Sequence, residues 1–261
     1  MSLVQNIFNT SIGRKYLMAL SGAGLFGFVI MHMLGNLTIF AGPAAINIYA
    51  AKLHSLGPLL WLARIGLIAM IGIHIWTAIK LSAENKNARK VRYQGYVDPV
   101  DKHRKNDIIA KYAARTMIYS GLIISAFALF HLAHYTWKVP QINGTSTDFE
   151  TFFVYDEDIG SEQIAYVTPI PLGKGVEGEN AVDVYKMVKT GFGVWWVSLF
   201  YLISVGLLCI HLSHGLSAML QSLGLKTKKT DKFVNRFAKT TGWALFLGYC
   251  SVPLSVLLDF I

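Results

Sequence analysis

Residues 14–41 read RKYLMALSGAGLFGFVIMHMLGNLTIFA: after the Arg14-Lys15 pair come about 26 residues with a single titratable side chain, His32. Eighteen or more apolar residues in a row are long enough to cross a bilayer, whose hydrocarbon core is about 30 Å thick at about 1.5 Å per helical residue. An ionisable group at such a depth is costly unless partnered, so it marks a functional position. The same arrangement returns three times, with His74, His131 and His211 each inside a further apolar stretch. The expectation is a frame of helices that holds imidazoles.

Composition agrees. Of 261 residues 53% are hydrophobic and only 15% charged, a balance that suits a polytopic membrane protein. The net charge of +9 is concentrated in short loops beside apolar spans, which fits membrane topology and excludes nucleic acid as a partner. Cys209 and Cys250 form no CxxC, so no zinc site, iron–sulfur cluster or covalent c-type haem is encoded. The first apolar run is too long for a signal peptide and is expected to stay in the mature chain.

The pattern predicts an all-α membrane protein, a single domain over residues 1–261 with spans at about 14–41, 59–82, 108–137, 191–222 and 243–261. Gly42-Pro43 ends the first span and Gly57-Pro58 opens the second. Between them AAINIYAAKLHS (44–55) has a helical pattern but is too short to cross. Residues 138–190 form a polar outer loop with nine of the fifteen acidic residues and four lysines. The basic loop NKNARKVRYQGYVDPVDKHRK (85–105), the group Lys226, Lys228, Lys229, Lys232, Arg236 and Lys239, and the Arg14-Lys15 pair all belong on the cytoplasmic side by the positive-inside rule. Five spans with a cytoplasmic N-terminus follow.

Topology converts histidine positions into depths. His32 lies ten residues before Gly42 and His131 nine before Pro140, about 15 Å from the outer end; His74 lies 16 after Pro58 and His211 18 after Gly193, about 25 Å from that side. Two imidazoles at one depth can fill both axial positions of a haem iron, and a second pair can hold another. A non-haem site is the rival, because His134 and His214 follow His131 and His211 by three residues and share their helix faces. Arg64 requires company within the membrane, either a haem propionate or a water cluster at a quinone site. Arg14 is an interface anchor or a propionate contact, and Ser21 a small packing residue or a hydrogen-bond donor. His54 and His103 fall in connectors. GxGxxG matches at Gly22–Gly27 and Gly173–Gly178 follow no strand and are coincidental, and Asn143-Gly-Thr145 matches a glycosylation sequon.

The stretches SIGRKYLMALSGAGLFGFVIMHMLGNL (11–37), SLGPLLWLARIGLIAMIGIHIWTAIKL (55–81) and LLCIHLSHGLSAMLQSLG (207–224) resemble the cytochrome b558-type membrane anchor of succinate dehydrogenase/fumarate reductase. The resemblance implies two b haems, one held by His32 with His131 and the other by His74 with His211, with the ligand in HLSHG at the first histidine. It implies a flavoprotein and an iron–sulfur subunit as cytoplasmic partners, quinone, most simply menaquinone, as the membrane redox partner, and a bacterial cytoplasmic (inner) membrane. By itself the chain would not act on succinate; it would anchor the catalytic subunits and serve electron transport in the respiratory chain and tricarboxylic acid cycle. One departure is that Cys209 stands two residues before His211, and that no carboxylate lies near the start of the second span. Alternatives are an independent cytochrome b of the quinol or ferric reductase type, or a transporter using histidines as a metal or proton relay, which would more usually contain intramembrane acids.

Overall fold

The computed structural model describes residues 8–87, 108–154 and 181–261. Helix α1 (Ser11–Leu37) continues as a 3-10 turn to Ala41, and the short α2 (Pro43–His54) precedes α3 (Pro58–Asn87). Helix α4 (Ile108–His131) ends in a π turn, Leu132–Thr136. A two-residue ladder, β1 (Phe153–Val154) with β2 (Ala181–Val182), leads to α5 (Val184–Gly193), α6 (Trp195–Ser222) and α7 (Asp231–Leu257). Five of these, α1, α3, α4, α6 and α7, are long and apolar enough to cross a bilayer, which makes this a multi-pass membrane protein. Lipid offers the backbone no hydrogen bonds, so uninterrupted helices are the economical solution for such sequences.

The observed boundaries refine those expected in three places. The first span halts where Gly42 takes φ +100°, a conformation that favours glycine, and Pro43 then starts α2 with its missing N–H at no cost. The fourth expected span divides, because Val194 is extended: residues 191–193 close α5, and α6 begins at Trp195. Ser198 spans the break by donating to the Phe192 carbonyl at 2.6 Å. The last span begins at Asp231 rather than near Trp243, so three of the basic residues assigned to the preceding loop, Lys232, Arg236 and Lys239, lie on the first turns of a helix. The basic loop with His103, and the second GxGxxG match, lie outside the described residues.

Two compact units are present, and each long helix contributes to both. The first comprises the described parts of Met1–Gly27, Leu67–Ile123 and Leu207–Trp243. Here Lys226 ties the α6–α7 connector together. Its Nζ donates to Ser217 Oγ and Asn235 Oδ1, both at 2.9 Å, and pairs with Asp231 at 3.2 Å. Arg14 pairs with Glu84 near the far end of α3, and Ser11 donates to the same carboxylate at 2.8 Å.

The second unit comprises Phe28–Gly66, Ile124–Gly206 and Ala244–Ile261. Its core packs Ile39, Ile46, Phe192, Val197, Tyr201, Val252 and Val256. The described ends of the polar loop are built into it. Asp183 caps α5 by accepting from Lys186 N and also accepts from the buried Asn47 Nδ2 at 3.0 Å, while Asn47 Oδ1 accepts from Tyr185 N at 3.1 Å. Beside them Phe149, Phe152 and Met187 form a small core. Asn47→Ala, which leaves the Tyr185 N–H and the Asp183 carboxylate each short of a partner, should destabilise the protein by about 1–3 kcal/mol, read as a lower thermal unfolding midpoint in detergent.

Candidate functional site

Of the two expected pairs, His32 and His131 are in ring contact, and His74 and His211 both belong to the first unit. In the second unit the His32 and His131 rings lie 5.7 Å apart, centroid to centroid, at an interplanar angle of 84°. Phe28 stacks on His32 at 5.4 Å, Tyr249 lies 6.3 Å from it, and Phe127 flanks His131 at 6.2 Å. Tyr249 is held there by its hydroxyl, which donates to the Val29 carbonyl at 2.6 Å.

The polar neighbours of these rings form a pattern. Ser21 Oγ lies 3.3 Å from His74 Nδ1, and Ser120 Oγ lies 3.0 Å from His211 Nδ1. Both hydroxyls also donate to a carbonyl three residues earlier, Met18 and Met117. A serine whose proton is so engaged accepts from the imidazole, which fixes each ring with its proton on Nδ1 and its lone pair on Nε2. A glycine follows each serine. A Cβ on Gly22 would sit 3.4 Å from His74 Cε1, and one on Gly121 3.6 Å from His211 Cε1, so each ring lies directly over a glycine. The same Ser-Gly dipeptide thus faces a histidine from α1 and again from α4. Ser120 was not among the residues singled out from sequence; the signal was this repeated dipeptide, at 21–22 and 120–121, each on a helix next to a histidine-bearing neighbour.

His131 and His134 separate. Both have Nδ1 near the Tyr201 hydroxyl, at 3.3 and 3.0 Å, but only His131 meets His32. His134 belongs to the π turn, is fully buried, and lies against Tyr135 at 4.0 Å and Phe149 at 5.8 Å.

The donor set suits haem. Two imidazoles on opposite sides of one metal, each bonded at about 2 Å, need ring centroids about 6 Å apart, and 5.7 Å is close to that. Among the described residues no three His, Cys, Asp or Glu side chains converge on one point. His32 and His131 meet as a pair. Arg14 is already engaged by Glu84, yet its buried Nε has no partner, so one donor is left for an anionic group. Arg64 lies over the Trp61 ring at 4.9 Å.

The fold also supplies a carboxylate beside α2, since Asp183 reaches Asn47 from 136 residues away. His54, at the exposed end of α2, has its pKa lowered by partial burial and then by the charges of Arg64 and Lys138. The sequon is closed off, because Asn143 is fully buried with its side chain bonded to Thr145 and Thr147. No protein-family model, curated protein or solved structure matches this chain.

Two outcomes are expected. Ser120→Ala should loosen any metal or haem held by His211, on the order of 10-fold or more in affinity, measured by retention during purification. His54 is less ready to bind a proton in the folded protein than in the unfolded chain, so stability should fall as pH drops below about 6.5; His54→Gln should flatten the unfolding midpoint between pH 7 and 5.

Proposed function

We propose that this chain is the dihaem cytochrome b anchor of a succinate:quinone oxidoreductase in a bacterial cytoplasmic membrane, carrying electrons between an iron–sulfur subunit and membrane quinone, most simply menaquinone. The observation that carries the reading is the ring contact of His32 with His131, together with a hydroxyl at Nδ1 of His74, His211 and His131 that leaves Nε2 for a metal. A b haem held by these histidines would supply one-electron transfer.

The protein's own residues do the rest. His32 with His131, and His74 with His211, would hold the two haems. Ser21, Ser120 and Tyr201 set the tautomer and orientation of three ligands, and Gly22 and Gly121 leave room for two of the rings. Arg14, with an unpartnered buried Nε, is the stronger candidate for a propionate contact, since Arg64 rests on Trp61. The basic residues between Lys226 and Lys239 would present a positive surface to the flavoprotein and iron–sulfur subunits on the cytoplasmic side, where the positive-inside rule also puts the N-terminus.

Purified protein should give a reduced-minus-oxidised b-type spectrum with two haems per chain. His32→Ala and His131→Ala should remove one spectral component, and His74→Ala and His211→Ala the other. Colourless wild-type protein, or loss of one component in both His32→Ala and His74→Ala, would defeat the reading. Co-purification with a flavin-bearing polypeptide separates the anchor from an independent cytochrome.

A further inference from the structure

A phenol has one proton to give, and the Tyr201 hydroxyl has two imidazole Nδ1 atoms beside it, His131 at 3.3 Å and His134 at 3.0 Å. At most one imidazole can accept that proton, and the arrangement that uses it has the other imidazole donating to Tyr201. If His134 donated, Tyr201 would give its proton to His131 Nδ1, and His131 would carry its own on Nε2, with no lone pair for a metal. The reverse assignment leaves His131 Nε2 free. His134 then accepts at Nδ1 and carries its proton on Nε2. That atom is buried with no hydrogen-bond partner, as is Tyr135 Oη, and a Cβ on Gly191 would lie 2.9 Å from the first and 2.6 Å from the second. The His134 ring is held on the spot by stacking on Tyr135 (25°) and Phe149 (27°), so it cannot turn easily to exchange roles.

We propose that Tyr201 is a positioning residue that, with His134 as the fixed acceptor of its proton, holds His131 in the tautomer that binds iron and sets the potential of that haem. This rests on the dihaem reading given above. It assigns His134 as the complement of the ligand rather than its competitor. A hydrogen bond accepted from His131 Nδ1 strengthens the imidazole as a donor to iron and so favours the oxidised form.

The test is a redox titration of the purified full-length protein at its haem bands. Tyr201→Phe should keep two haems per chain and raise the potential of one component, the one that His32→Ala removes, while the other stays put. The expected size is about tenfold in the ferric-to-ferrous ratio at a fixed potential, about 59 mV for one electron. His134→Leu, which leaves the hydroxyl but removes its acceptor, should move the same component the same way by less. Unchanged potentials in both variants, or equal movement of both components in Tyr201→Phe, overturn the proposal. Should Tyr201→Phe fail to fold, His134→Leu decides alone, and an unmoved component counts against the proposal. Wild-type protein without haem removes the dihaem reading itself, and is told apart from these outcomes before any variant is made.

Discussion

An imidazole within hydrocarbon has two nitrogens, and neither can turn to water. That constraint explains more of this molecule than any other. Three of the four paired histidines have Nδ1 beside a hydroxyl contributed by a different helix, Ser21, Ser120 or Tyr201, and the two serines are themselves committed to carbonyls of their own helices. Each ring is therefore fixed in rotation and tautomer before anything binds to Nε2. Ring packing completes the restraint around His32, which lies between Phe28, His131 and Tyr249. A hydroxyl is well suited to the task because it takes the imidazole proton without bringing a charge into the bilayer, where a carboxylate in the same position would be far more expensive.

The close approach of the rings follows from small residues placed one step along the chain. Serine supplies the acceptor and the next residue, glycine, supplies the space. Neither alone would serve, since a serine followed by a bulky side chain would push the histidine away from its own hydrogen bond. The polar segment after α4 uses the opposite strategy. There the described residues bury aromatic side chains, Phe149, Phe152 and Tyr135, around His134, and Asn47 ties the whole to α2 through two hydrogen bonds.

Much of this was legible in the sequence, and the reasons are physical. Hydropathy gave five spans because a bilayer demands long apolar helices, and counting 1.5 Å per residue put His32 at the depth of His131, whose ring it meets. What periodicity could not give was anything set by tertiary contact. Nothing local marks Val194 as the break before α6, and the helix propensity of Asp231–Thr240 was masked by its lysines, which read as a loop. The offset of three between His131 and His134 suggested one shared face; a π turn and the demands of a common tyrosine gave them different surroundings. Ser120 and Asp183 act on residues 91 and 136 positions away, distances over which sequence alone carries no signal.

Helix α7 contains none of the histidines, yet Tyr249 puts its ring against His32 and its proton on the backbone of α1. A chain made from its N-terminus inserts this helix after α1, α3, α4 and α6. The wall beside His32 is thus finished only after the helices that carry the four histidines, by a segment that gives α1 a phenol. A prosthetic group arriving sideways would find its widest entrance in that interval, and a nascent chain stalled before residue 249 would leave the first histidine facing lipid.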